Sequence, residues 1–407
     1  MSTESESTGT LSRRRLFAIG GSAAAAGAVA ATGLSRVLDS GPSPEPPAAP
    51  PASTVPVEFH GIHQSGIANP APGHLLLTAY DAPPDLDRGA LAGLFRQWTA
   101  AARDLTAGRS TTEDPMIAAG ADVSDLTITV GVGRGILSRL GIKAPAALAD
   151  LPAFEGDELQ HADGGGDVIV QICAEDPLVV ASTDRVLRRL ATPMMTTRWQ
   201  ETGFQGDAGR AEGRNGRNLM GQIDGSNNVS TSPLARSGPV WVDSTEPGWM
   251  AGGSYLVVRR IRMLLDPWEQ TPIGEQEQVI GRSKSTGAPL GSQRESDPVD
   301  LDARGPDGEP LIPAHSHVRL STPGKGEQMH RRSYSYRSGL LPDGTTDQGL
   351  LFLAYVKDPT SSFVPVQRRL AAHDALNAFT LTTASALFAI LPGVEGADDW
   401  LGRSLLT

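Results

Sequence analysis

Three short segments carry most of the side chains able to do chemistry. Ile312-Pro313-Ala314-His315-Ser316-His317-Val318-Arg319 holds two of the eight histidines. Arg217-Asn218-Leu219-Met220-Gly221-Gln222-Ile223-Asp224-Gly225-Ser226-Asn227-Asn228 holds a carboxylate, Asp224, directly before a glycine. Met329-His330-Arg331-Arg332-Ser333-Tyr334 holds two adjacent guanidinium groups. An imidazole ligates iron, a carboxylate shuttles a proton and a guanidinium stabilises developing negative charge. Splitting a peroxide on haem iron needs all three.

Each residue also has a plainer reading. Asp224-Gly225 is an ordinary turn signal, and Arg331 reads equally as half of a surface ion pair. His315 and His317 compete as the ligand. Pro313 and Pro323 bracket both and restrict the backbone around them. His60, His63, His74, His161, His330 and His373 sit in less suggestive contexts. Asp374 follows Val366 and Leu370 at steps of four, so it shares a helical stripe with apolar residues. It either meets a buried partner, such as an imidazole, or lies solvated at the stripe's edge. The single cysteine, Cys173, ends the apolar run Val168–Cys173 and reads as a buried structural residue. One cysteine permits no internal disulfide. Without a C-x-x-C-H run, any haem is held non-covalently. Gly131-Val132-Gly133-Arg134-Gly135-Ile136 imitates a dinucleotide turn but has Ile136 where the fingerprint's third glycine falls, and no suitable acid follows.

The surrounding pattern suggests what positions these groups. Strand-like runs fall at His74–Asp81, Leu126–Val132, Val168–Ala174 and Arg198–Phe204, with helices at Leu86–Leu105 and Pro177–Ala191. In the second half, strands are expected at Ser254–Met263, Val318–Leu320, Arg332–Arg337 and Leu350–Val356. Helices are expected there at Pro267–Gly281 and Pro365–Phe388. Strand, helix, strand, strand, helix, strand, met about twice, predicts an α+β chain of two ferredoxin-like units. The expected division is 57–215 and 216–407. Ser283–Leu311 is rich in Gly, Pro and Asp and reads as a long, functional loop.

Ser12-Arg13-Arg14-Arg15-Leu16-Phe17 opens an Ala/Gly-rich apolar stretch, which reads as a twin-arginine export signal over 1–40. The stretch is too short and too diluted to read as a membrane span. Residues 41–56 are rich in Pro and Ala and read as a disordered tether. Export in folded form to the periplasm or beyond suits a cofactor loaded in the cytoplasm. The net charge of −11 argues against nucleic acid and anionic membranes as partners.

Taken together and in this order, the three motifs resemble the dye-decolorizing peroxidase family, in particular its exported deferrochelatase/peroxidase branch. That family's pattern reads roughly R-N-L-M-G-x-x-D-G-[TS]-x-N, then I-P-x-x-[AS]-H-[VI]-R, then R-R-[GS]-Y. Gln222-Ile223 and Thr322-Pro323-Gly324 depart from its usual residues. The resemblance implies a paired α+β barrel with one non-covalent haem b held mainly by the second unit. It selects His317 as iron ligand and Asp374 as that ligand's partner. It makes Asp224 the proton shuttle and Arg331 the charge stabiliser. A free carboxylate titrates near pH ~4, so such a base is ready at mildly acidic pH. Gly225, Ser226 and Asn227, and Thr322, Pro323 and Gly324, would line the haem edge, with Arg319 and Arg282 as propionate partners. Tryptophans and tyrosines could relay electrons, although core packing is the better default for them.

The implied activity is oxidation of phenols or dyes by hydrogen peroxide. Its rivals are release of iron from haem, a haem-binding module without catalysis, and a chlorite dismutase-like activity. Iron-uptake components and a homo-oligomer are the further partners the resemblance leaves open.

Overall fold

A computed structural model describes residues 56–111, 123–160, 164–206, 215–229, 238–244 and 247–407. The expected leader and nearly all of the expected tether lie outside the described residues, as does His161. Residues Pro51–Thr407 form one compact unit.

Among the described residues, nine strands follow in chain order: β1 (His74–Asp81), β2 (Thr127–Val132), β3 (Val168–Ala174), β4 (Thr196–Phe204), β5 (Ser254–Met263), β6 (His330–Arg331), β7 (Tyr334–Leu340), β8 (Thr346–Val356) and β9 (Thr380–Ile390). The longer helices are α1 (Arg88–Thr106), α2 (Arg134–Arg139), α3 (Pro177–Ala191), α4 (Leu265–Gln270), α5 (Ile273–Ile280), α6 (His317–Ser321) and α7 (Phe363–His373); α8 (Arg403–Leu406) ends the chain. All strand pairings between these strands are antiparallel, in the order β5-β9-β2-β3-β1-β4-β7-β8, and β8 returns to β5. The sheet therefore closes on itself, which removes the open edges an eight-strand sheet would expose. Within the ring, β2-β3-β1-β4 repeats the pattern of β7-β8-β5-β9, each with a helix before its second strand and another before its last. This is the ferredoxin-like split βαβ arrangement, twice. The two sets meet at narrow seams, Phe204 opposite Ser335 and Gly131-Val132 opposite Ile390-Ala389.

Strand side chains alternate between the two faces. Leu75, Leu77 and Ala79 point into the closed sheet with Cys173, Tyr334, Leu351, Leu353 and Phe388, while Leu76 and Tyr80 point outward against α1 and α3. Both faces are covered, so these strands read as continuous apolar runs rather than alternating ones. Cys173 is fully buried. All five tyrosines are at most 1% exposed and all six tryptophans at most 9%, so core packing accounts for each. The glycines at 131–135 serve close packing: a Cβ on Gly133 would fall 2.0 Å from the Gly166 carbonyl oxygen.

Three expected elements differ. Val318–Leu320 lies in α6 rather than a strand, because Leu320 N–H donates to Ser316 O and Thr322 N–H to Val318 O. Three residues are too few for periodicity to separate the two states. Pro267–Gly281 is two helices, since Thr271 before Pro272 is extended (ψ 130°). The long helix expected over Pro365–Phe388 ends at His373, and residues from Thr380 onward form β9. Asn377 Nδ2 donates to the Leu370 and Ala371 carbonyls, which satisfies the helix end, and the β-branched Thr380, Thr382 and Thr383 then suit a strand.

Candidate active site

The outer face of the second strand set builds the site. Arg331 opposes Ala354 and Tyr334 opposes Leu351, so β6 and β7 continue one register along β8. Arg331 accordingly shares a face with Ala354, Phe352 and Leu350, while Arg332 and Tyr334 turn into the closed sheet. Leu351, Leu353 and Tyr355 on the inner face have no exposure, yet Leu350 and Phe352 on the outer face are only half-buried, as is Ile261 on β5. A half-covered apolar floor therefore lies beside a guanidinium.

The Asp224 segment is tied down by its own polar atoms. Asn218 Oδ1 accepts from Met220 N–H and Gln222 N–H, and Trp268 Nε1 donates to Met220 O. Arg217 donates to Gly221, Lys284 and Ser285 carbonyls. Asp224 N–H donates to Gly216 O. Gly225 has φ +107°, and a Cβ there would sit 2.8 Å from Asn215 Oδ1, so this turn requires glycine. Asp224 Oδ1 comes to 3.8 Å from Arg331 Nη1, with side-chain exposures of 32% and 26%.

His317 opens α6. Its Nδ1 lies 2.6 Å from Asp374 Oδ2, across 57 residues of sequence. Asp374 is buried just beyond α7, and its other oxygen accepts from Leu376 N–H, capping the turn Ala375–Phe379. With the carboxylate as acceptor, Nδ1 carries the proton and Nε2 presents its lone pair. Burial pulls the imidazole's pKa down. The charge and hydrogen bond of Asp374, with a smaller contribution from Asp224, outweigh it and hold the pKa above its ordinary value, against the opposing charge of Arg331. Asp224 and Arg331 thus lie near enough to act on His317. His315 is exposed and offers only its carbonyl, to Ala375 N–H.

Flanking residues fall into place unevenly. Ser226 Oγ donates to Glu295 Oε1, and Asn227 is exposed. Thr322 Oγ1 donates to Val318 O, Pro323 is half-buried, and Gly324 N–H donates to Glu327 Oε2, so this stretch turns tightly behind α6. Arg369 on α7 grips both Glu327 oxygens and the Leu320 carbonyl, pinning α6 to α7. Arg319 and Arg282, the expected propionate partners, both donate to backbone carbonyls. Arg319 donates to the Ile312 and Leu301 carbonyls, and Arg282 to those of Gly287 and Glu295. Burial, reinforced by Arg331 and opposed by Glu295, lowers the Arg282 pKa. Two contributors escaped the sequence reading. Asn228, the last residue of the quoted motif, exchanges hydrogen bonds with the Arg331 backbone. Glu295 holds Ser226 and Asn215 from the long loop, where no sequence signal marks it. Among the described residues no three His, Cys, Asp or Glu side chains cluster as a metal cage. A lone imidazole such as His317 retains a metal only when other donors, for example a macrocycle's nitrogens, complete the coordination.

Comparison with known proteins agrees with this geometry. Residues 64–205 match the Dyp-type peroxidase N-terminal profile and residues 215–395 the Dyp-type peroxidase C-terminal profile. A dye-decolorizing peroxidase of Thermobifida fusca is 42% identical over 365 residues, covering 84% of this chain and 83% of its own. A deferrochelatase of Escherichia coli (strain K12) is 36% identical over 417 residues, covering 97% of each. A DyP-type peroxidase structure from Cellulomonas bogoriensis superposes with a TM-score of 0.83 at 40% identity, covering 88% of this chain and 99% of that one. Ferric DtpA from Streptomyces lividans gives 0.84 at 40% identity, covering 88% and 100%. The chain therefore belongs to the Dyp-type peroxidase family of haem-dependent oxidoreductases.

Proposed function

We propose that His317 is the axial ligand of one non-covalent haem b, and that Asp224 and Arg331 work on hydrogen peroxide across the macrocycle. The observation that carries the reading is the locked Asp374–His317 pair, with Asp224 and Arg331 close enough for their charges to reach it. The half-buried floor of Leu350, Phe352 and Ile261 suits a flat apolar ring. Gly225, Ser226 and Asn227 on one side, and Thr322, Pro323 and Gly324 on the other, are assigned to its rim.

The haem supplies storage for two oxidising equivalents, released singly to organic donors such as phenols or dyes. The protein's work is proton handling and charge. Asp224 takes the proton from one peroxide oxygen and returns it to the other, which leaves as water. The Arg331 guanidinium stabilises the negative charge that builds as the oxygens separate. Asp374 keeps the His317 ring oriented and electron-donating.

The 57–215 and 216–407 division is supported by the repeated strand order. Twin-arginine export rests on Ser12–Phe17 and the apolar stretch that follows. Among the described residues no helix is long and apolar enough to cross a membrane. Iron release from haem is a second reading, favoured by the relatives named deferrochelatase. The experiment that tests the choice incubates purified haem-loaded protein with peroxide and a dye. Bleaching with the haem intact supports peroxidase action. Metal-free porphyrin appearing without bleaching supports iron release.

A further inference from the structure

We propose that Asn228 is a positioning residue for the peroxide reaction, its side-chain amide docking the Asp224 loop onto the backbone of Arg331. The proposal rests on the roles just given to Asp224 and Arg331. Asn228 Nδ2 donates to Arg331 O at 2.6 Å, and Arg331 N–H donates to Asn228 Oδ1 at 2.8 Å. Among the described strands β6 stands at the end of the sheet and pairs only with β8, so the Arg331 N–H and C=O on its other side need partners from elsewhere. The amide occupies that edge as a neighbouring strand would. Asn228 N–H also donates to Gly225 O, closing a single turn between Asp224 and the clamp.

The clamp explains a spacing that side-chain attraction alone does not. An arginine free to approach a carboxylate settles into a bidentate pair near ~2.8 Å. That pair would occupy the lone pairs of the base and the donors of the cation together. Here the two stand 3.8 Å apart, with both backbones held: Asp224 N–H by Gly216 O, and Arg331 by Asn228. Both heads are left to face peroxide. Glu295 fastens the same loop from outside through Ser226 and Asn215, but touches neither Asp224 nor Arg331.

The test compares haem-loaded full-length protein with Asn228→Ala, Asn228→Asp, Arg331→Leu and the Asn228→Ala/Arg331→Leu double variant. Rapid mixing gives the second-order rate with peroxide, and hydrogen exchange follows the Arg331 amide. Asn228→Ala is expected to slow the peroxide step at least about tenfold, as misplacement of a catalytic group does. Donor KM and haem occupancy should stay unchanged and Arg331 amide exchange should quicken. In the Arg331→Leu background the same change should cost clearly less than in the wild type, because the clamp then has only Asp224 left to place. Asn228→Asp keeps the acceptor for Arg331 N–H and loses the donor to its carbonyl, so an intermediate rate is expected, and this variant carries the test should the alanine variant not fold. Equal slowing in both backgrounds, or unaltered Arg331 exchange, overturns the proposal. An Arg331→Leu protein with full peroxide reactivity would instead overturn the role of Arg331, while the exchange measurement still decides the clamp.

Discussion

Asp374 fixes His317 from the junction of two elements: one carboxylate oxygen meets the ring Nδ1 at 2.6 Å while the other caps the next turn at Leu376 N–H. The buried carboxylate therefore joins a structural duty to a chemical one. Asp374→Asn retains the capping oxygen and loses the charge. Haem affinity or turnover should fall about 10- to 100-fold, the usual cost of removing such a partner. Haem titration and steady-state rates measure this with little loss of melting temperature expected, and an unchanged rate and affinity would separate the pair from function.

Asp224 and Arg331 should fail differently from Asp374. Asp224→Asn removes the proposed proton shuttle and should slow the peroxide step by about 10²- to 10⁴-fold. Arg331→Leu removes the proposed charge stabilisation and should cost about 10²- to 10³-fold. Haem occupancy should hold in both, so rapid mixing at matched haem content reads the effect. Peroxide reactivity equal to wild type in Asp224→Asn would remove that carboxylate from the mechanism.

Glu327 links acidity to the packing of α6 on α7. The hydrogen bonds and charge of Arg369 and the Gly324 N–H hold its pKa below the ordinary value, against a smaller effect of burial. A depressed carboxylate pKa contributes stability that is fully present above the unfolded pKa and is lost as pH falls through the folded one. Denaturant unfolding should show a constant stability gap between wild type and Glu327→Gln above about pH 5. The gap should narrow as pH falls from the unfolded pKa through the folded one, and one independent of pH would contradict the assignment.

Much of this was legible beforehand, and the misses share a cause. Helix α3 and strand β5 match their expected bounds because each is long and begins at a clear signal, Pro177 after Asp176 and Ser254 after two glycines. β9 was hidden because Val366, Leu370 and Asp374 extend a helical spacing into a segment whose fate is set by pairing with β5 along ten residues. His317, Asp224 and Arg331 stood out in their motifs, and the fold sets His317 2.6 Å from Asp374 and Asp224 3.8 Å from Arg331. Their second layer was less so. Glu295, Asn228 and the backbone duties of Arg319 and Arg282 depend on which loop carbonyls the fold brings near, and periodicity carries no record of that.

Arg259 and Asp157 tie the connection between β2 and β3 to the outer face of the second strand set. Their two hydrogen bonds, 2.5 and 3.0 Å, join side chains only 2% and 8% exposed. Removing one partner of such a pair leaves the other charged and buried. Arg259→Leu should therefore destabilise the protein by about 3–5 kcal/mol. Denaturant unfolding measures this, and a loss under about 1 kcal/mol would mean that water or a neighbour takes over the carboxylate.

The most direct test of the whole account is the absorption spectrum of haem-loaded His317→Ala beside His315→Ala. The account predicts that His315→Ala keeps the wild-type spectrum and turnover. His317→Ala should lose the histidine-ligated spectrum and nearly all peroxide reactivity, and added imidazole should restore part of the spectrum. A His317→Ala protein with the wild-type spectrum and full turnover would contradict it.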